Sequence, residues 1–552
     1  MSTPAAIGWI VAFVLVTVAM TGLGRRIGWP TPLMLVGIGG IASFIPGVPS
    51  VHVEAELVLY GLLPPLLFAA ARQTYFPDIR IRRDTILILS VGTVAATVVV
   101  VGFTAALLLP TIGLAAAFAF AAVVAPTDTV AVTAVAGRIG LPRRVITILE
   151  GESLLNDAAA LVALNAAILA MAGILTPWSI VGEFVLAVLA GVVLGAVIGW
   201  LLSMIRSRIR SAVLDTSLAL ITPYLAFLAA EAIHGSGILA VVVAGLILGY
   251  WSPLIQTAEA RTAESVNWRT VQFILENAVF LFIGMNLSGI VAGAARAGYE
   301  LGTSTLICTV ILLALVIARF AFVFTVAWVF RVGPGRLREQ NVEWKNALVI
   351  SSVGVRGVVT LAAVFLLPPD TTDREFLQFL AFVVVVATIF GSTAISGLVR
   401  LLHIEPPNPA QERMEAQALL SEVRAAGLMR LEAEISESDD ERVVSQLRAS
   451  SALAASSLQR QHEDPTQESL SDSHRRLRRH MIQAEWEATI KARSQHRYPE
   501  AAVIAVLRII DAEEAAVRTA AEEQELTPRD GRTSSRHQRR PEDDISEERT
   551  IP

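Results

Sequence analysis

The sequence predicts an all-α polytopic membrane protein with about 13 transmembrane helices, discontinuous ones among them, followed by a helical and disordered cytoplasmic tail. Three observations carry that reading. Hydrophobic residues make up 54% of the 552, and the mean hydropathy is +0.59, too apolar for a soluble chain of this length. Apolar runs of roughly 17–25 residues recur from Ile7 to Leu402, each long enough to cross a bilayer as a helix. The basic residues between them are distributed very unevenly. The runs are continuous rather than alternating, which excludes a β-barrel.

In chain order the runs fall near 6–24, 31–46, 54–71, 85–109, 112–136, 146–172, 180–204, 214–233, 236–252, 271–292, 303–330, 346–368 and 376–402. The first has no Lys or Arg before it and no small-residue cleavage site, so it reads as a span rather than a cleavable signal. The fifth is interrupted by Pro126 and the sixth by Glu152 and Asp157. The seventh carries Gly191, Gly195 and Gly199, which suit close packing and sliding between helix bundles. The eleventh holds Arg319 and the lone cysteine, Cys308, a small packing residue with no disulfide partner in the chain. The twelfth holds Arg356.

Orientation follows from the charges. With an external N-terminus, 19 Arg and Lys fall in inner loops, while only Arg296 and Arg374 fall outside. That asymmetry supports an odd number of spans and a cytoplasmic C-terminus, in the cell (inner or plasma) membrane.

Composition divides the chain into residues 1–404, which span the membrane, a cytoplasmic helical regulatory or assembly region over 405–524, and a disordered tail over 525–552. The break is the stiff Pro406-Pro407-Asn408-Pro409, after which 21 Arg and Lys face 29 Asp and Glu, a net charge of −8. Amphipathic helices are expected over 410–460 and 475–524, packing on other helices. Beyond 525 charges dominate and few apolar residues remain. No nucleotide-binding glycine loop, zinc spacing or hydrolase triad occurs, so neither an enzyme, a cofactor nor a nucleic-acid partner is expected.

The chemistry concentrates in two interruptions. Ala125-Pro126-Thr127-Asp128 breaks one apolar run, and Gly151-Glu152-Ser153-Leu154-Leu155-Asn156-Asp157 places two carboxylates, a hydroxyl and an amide in the next. Ionised groups at membrane depth are expensive and persist where they line a path or pair with each other. Residues four apart on a helix share a face. Ser153 and Asp157 therefore offer oxygens to one dehydrated cation, while Glu152 and Asn156 face a neighbouring helix. Pro126 removes an N–H and leaves nearby backbone unpaired, an arrangement tolerated at membrane depth where it lines a cavity. Thr127 adds hydroxyl and carbonyl oxygens, and Asp128 neutralises the start of the following half-helix. Arg356 needs a buried carboxylate, with Glu152 the preferred partner. Arg319 is a second intramembrane cation, matched by Glu276 or Glu231, which alternatively line an access funnel.

The ordered set Leu63-Pro64-Pro65-Leu66-Leu67-Phe68, Pro126-Thr127-Asp128, Glu150 to Asp157, Ser236-Gly237-Ile238-Leu239-Ala240 after Glu231, and Gly354-Val355-Arg356-Gly357 resembles the monovalent cation:proton antiporter family, in its sodium/proton exchanger branch. The resemblance covers residues 1–404. It implies inverted repeats, a mobile core bundle, a dimerisation bundle and a homodimer. It implies that Asp157 binds either proton or cation (Na+, with K+ or Li+ as alternatives), that Thr127, Ser153 and Asp128 help form the ion site, and that Glu152, Asn156 and Arg356 support it. One departure stands out: Ala69, Ala70 and Ala71 follow the Leu-Pro-Pro motif where an acidic residue is frequent in the family, so an auxiliary polar contact is missing. Asn156 beside Asp157 leaves one cycling carboxylate, which predicts electroneutral exchange of one proton for one cation. The alternatives are a cation channel, for which no carbonyl filter or pore ring is evident, a cation-coupled symporter, for which a polar solute pocket is lacking, and a membrane sensor signalling through the tail.

Overall fold

The computed structural model describes residues 3–27, 29, 31–46, 57–74, 82–128, 141–173, 177–333 and 343–404, with scattered residues between 426 and 514. It forms two compact units, Met1–Pro406 and Pro407–Pro552. Every regular element among the described residues is helical.

The first unit begins with α1 (Thr3–Ile27), α2 (Thr31–Ser43) and α3 (Leu63–Gln73), the last entered through a π-helical turn at Leu57–Leu62. Pro64 and Pro65 open α3, where their missing N–H groups cost nothing. Then follow α4 (Arg83–Leu108), α5 (Gly113–Val124), α6 (Arg143–Met171), α7 (Pro177–Arg206), α8 (Ala212–Glu231), α9 (Gly237–Ile255) and α10 (Ala258–Met285). The unit closes with α11 (Leu287–Arg296), α12 (Leu301–Val332), α13 (Trp344–Ser352), α14 (Val358–Ala363), α15 (Arg374–Ser392) and α16 (Ile395–Leu401). Among the described residues seven helical spans are long and apolar enough to cross a membrane, the last running through α15 and α16, and α10 with α11, bent by 46°, makes an eighth.

Three of the predicted runs take a different form. The run at 112–136 is helical only to Val124, and 125–128 is irregular, with 129–140 outside the described residues. The run at 346–368 is two short helices separated by irregular Val353–Gly357. The run at 271–292 crosses the 46° bend between α11 and the apolar half of the longer α10. Its first turns, with Glu259, Arg261, Glu264 and Arg269, are too polar for hydropathy to register, yet the Thr257 hydroxyl caps them by accepting from the Ala260 N–H.

The helices sort into two packed groups. One sets α4 against α5, α6 and α12, with α13 lying on α12. Within it α4, α5 and α6 are answered later in the chain by α12, α13–α14 and α15, and both α5 and α13 end in irregular backbone. The other group sets α9 against α3, α7 and α8, and α10 against α2 and α8. The glycines of α7 serve this second group alone. A Cβ at Gly191 or Gly195 would reach the carbonyl oxygens of Ser236 or Ala240, so they bring α7 onto α9 rather than letting two bundles slide.

One end of the second group is closed by a buried polar cluster. Arg206, ending α7, donates from Nε and Nη2 to the two Asp215 oxygens at 2.8 Å each, and from Nη2 to Glu264 at 2.6 Å. Gln256 donates to Asp215 and Glu264 at 2.5 Å each, and Arg72 lies 2.9 Å from Glu264. Two cations and two anions thus tie α3, α7, α8 and α10 and the end of α9. In the second unit, where the described residues are helical apart from Ile435, Arg448 meets Glu432 at 2.8 Å, and Arg478 pairs with Glu485 and Glu513. The tail beyond 525 lies outside the described residues.

Removing one member of the buried cluster strands the others. Arg206→Ala is expected to lower the unfolding free energy by about 3–5 kcal/mol, read as a fall in Tm of the detergent-purified protein. Arg296→Ala, whose 3.4 Å pair with Glu375 is exposed, is expected to change it by less than about 1 kcal/mol.

Candidate ion-binding site

The two chain breaks meet. The Asp128 N–H donates to the Val355 carbonyl at 2.8 Å, joining the irregular stretch after α5 to the one between α13 and α14. Proline explains the first break. Pro126 has no N–H to return to Ala122, so α5 stops and its last carbonyls need other partners. Glycine explains the second. A Cβ on Gly354 would sit 2.8 Å from Arg356 Nη1 and 2.9 Å from Arg319 Cδ, and one on Gly357 would overlap the Asp128 carboxylate. Only a bare Cα admits both approaches.

Helix α6 packs its polar face on the first break. Ser153 Oγ donates to the Thr127 carbonyl at 2.6 Å, and Asn156 Nδ2 donates to Thr127 Oγ1 at 2.7 Å. Thr127, Ser153 and Asn156 are all buried. Asn156 Oδ1 and Asp157 Oδ1 are buried acceptors with no hydrogen-bond partner among the described residues. Buried acceptors left unpaired are costly, so two of them beside Thr127 make an oxygen set suited to a hard monovalent cation.

The two intramembrane arginines occupy the half-helix ends. Arg319, on α12, donates to Glu152 at 2.7 and 3.3 Å and from Nη2 to the Ile350 and Val353 carbonyls at 2.9 and 3.4 Å, where α13 ends. Arg356 donates from Nε to the Val124 carbonyl at 3.1 Å, where α5 ends, and from Nη1 to the Gly354 carbonyl. Each cation thus sits on the electronegative end of a broken helix. The sequence-based pairing is corrected here. Glu152 meets Arg319, not Arg356, because α6 and α12 both pack on α4 and the long Arg319 side chain spans from one to the other, while Arg356 rides on the break and takes carbonyls. Asn156, expected to face a neighbouring helix, instead holds Thr127.

A cavity lies between the two helix groups. The first lines it with Pro126, Thr127, Asp128, Asp157, Gly357 and Thr360, and the second with Leu66, Leu67 and Ala70 of α3 and Gln272 and Glu276 of α10. Glu276 therefore borders the same space as Asp157. Glu231 does not line it, and accepts instead from the Gly237 N–H at 3.4 Å. Where Ala69–Ala71 leave α3 without a polar group, α10 supplies the polar part of that wall. Gln272 escaped sequence reading, since an amide in the polar half of a helix looks like ordinary surface. Its four-residue spacing to Glu276 was the available signal.

Residues 11–401 match the family described as sodium/hydrogen exchanger, transmembrane.

The chain belongs to the sodium/hydrogen exchanger family.

It is therefore a multi-pass membrane protein and a cation/proton antiporter, a secondary transporter rather than an enzyme. Among similar proteins, the sodium, potassium, lithium and rubidium/H+ antiporter of Bacillus pumilus is 32% identical over 388 residues, 66% of this chain and 57% of that one. The Na+/H+ exchanger YjcE of Escherichia coli is 30% identical, over 76% of this chain and 80% of its own. The sodium/proton antiporter MjNhaP1 of Methanocaldococcus jannaschii has the same fold, with a TM-score of 0.59 at 18% identity, covering 73% of this chain and all of that one.

Two substitutions probe how the exchanger holds its breaks. Arg319→Ala is expected to cost about 3–5 kcal/mol, because Glu152 is left buried and unpaired. Gly357→Ala is expected to cost about 1–3 kcal/mol by overpacking against Asp128. Thermal unfolding of each variant measures both.

Proposed function

We propose that this antiporter exchanges one monovalent cation for one proton at Asp157, electroneutrally, with Na+ as substrate and K+ and Li+ as alternatives, in pH and cation homeostasis. The observation that carries the reading is the pair of unpartnered buried acceptors, Asp157 Oδ1 and Asn156 Oδ1, placed beside Thr127 at the crossing of the broken helices. A hard cation takes carboxylate, amide, hydroxyl and carbonyl oxygens, and a carbonyl already accepting one hydrogen bond keeps a second lone pair. The Thr127 carbonyl and the Ser153 hydroxyl therefore complete the set, with Asp128 at its edge.

Proton and cation compete for the same Asp157 oxygens, so occupancy by one excludes the other. Asn156 contributes an oxygen without a second charge, which supports one-for-one stoichiometry. The ionised, empty carboxylate is the form that a bilayer penalises most, and that penalty couples movement to occupancy. Glu152, Arg319 and Arg356 hold the broken helices without carrying ions. The cavity between the two helix groups fits alternating access, in which the α4–α6 and α12–α15 group moves against the other. The basic-residue pattern supports an external N-terminus and a cytoplasmic C-terminus in the cell membrane, and the family resemblance supports a homodimer. The cations printed in the name of the Bacillus pumilus relative support the broader range.

Purified protein in vesicles with a trapped pH dye tests this. Adding external Na+ or K+ is expected to alkalinise the lumen, equally with the voltage clamped, and Asp157→Asn is expected to fall to the rate of protein-free vesicles. Proton movement that changes with the clamped voltage would refute the electroneutral stoichiometry. Cation flux without proton movement would mean a channel, and neither would mean a sensor.

A further inference from the structure

Two carboxamides connect the cavity to the exposed end of α3. Gln272 Nε2 donates to Glu276 Oε1 at 2.6 Å, and Gln73 Nε2 donates to Gln272 Oε1 at 2.7 Å. Gln272 and Glu276 stand one turn apart on the same face of α10 and both border the space that holds Asp157. Gln73, at the end of α3, is exposed. The file therefore runs from the surface to the ion site in three hydrogen-bonded side chains.

The alternative surface on that wall is apolar. The rest of it is Leu66, Leu67 and Ala70, and a cation shedding water along leucine receives nothing in exchange. Amide and carboxylate oxygens offer replacement ligands. The outer end is also compensated in charge: Arg72, beside Gln73 in sequence, lies 2.9 Å from Glu264, so its charge is neutralised by a buried anion.

We propose that Gln73, Gln272 and Glu276 form the access path of the cation to Asp157, with Gln272 the residue that positions Glu276. The path opens at the end of the molecule where Arg72 and Arg206 gather, the end that the basic-residue pattern assigns to the cytoplasm. The proposal rests on Asp157 as the exchanging group.

The test is the initial exchange rate against Na+ concentration in proteoliposomes, at one pH, for the wild type, Gln272→Leu, Glu276→Gln and the double variant. Gln272→Leu and Glu276→Gln are each expected to raise the apparent KM for Na+ about threefold to tenfold, with a smaller effect on maximal rate. The double variant is expected to match Glu276→Gln alone, because Gln272 acts through it. An unchanged KM in folded Gln272→Leu, or a fall in maximal rate at constant KM, would assign Gln272 to packing and overturn the proposal. Should Gln272→Leu fail to fold, Gln73→Ala and Glu276→Gln decide: a raised KM in both supports the path, and an unchanged KM in either overturns it. Wild-type exchange that survives Asp157→Asn refutes the reading beneath the proposal, whereas wild-type exchange abolished by Asp157→Asn, with KM flat in the other variants, refutes the path alone.

Discussion

The 2.8 Å hydrogen bond from the Asp128 N–H to the Val355 carbonyl joins two stretches of backbone that have left their helices inside an apolar interior. Unwound peptide groups cannot be satisfied by lipid, so each break has to be completed by the other. Everything polar nearby follows from that requirement. Ser153 and Asn156 secure Thr127, the Arg356 N–H donates to Thr388 Oγ1 at 3.0 Å, and the two arginines take the carbonyls that the broken helices release. Among the acceptors that border this crossing, Asn156 Oδ1 and Asp157 Oδ1 are left without a hydrogen-bond partner among the described residues.

The electrostatics divide by role. Glu152 and Arg319 are engaged with each other and, through Arg319 Nη2, with a helix end, which suits groups that hold geometry. Asp157, Asp128 and Glu276 border the cavity instead. Arg356 has no carboxylate partner among its described hydrogen bonds and donates to carbonyls at the helix ends, so its charge stabilises those ends without engaging Asp157.

The second helix group supplies the frame. Its buried Arg206–Asp215–Glu264 cluster and the close α7–α9 contact tie its helices together. It also contributes the polar wall of the cavity at Gln272 and Glu276.

The sequence by itself determined the membrane class, the two interruptions and the polar residues that the structure brings together there. Hydropathy, proline and buried charge are local properties that need no partner to be read. It also determined that Arg319 and Arg356 must be neutralised, though not by what. Only the tertiary structure decided that Glu152 belongs to Arg319, that Arg356 caps α5, that Gly357 makes room for Asp128, and that Glu276 shares a cavity with Asp157 while Glu231 does not. Those are relations between helices far apart in the chain. They depend on which faces pack together, and helical periodicity specifies a face without naming its neighbour.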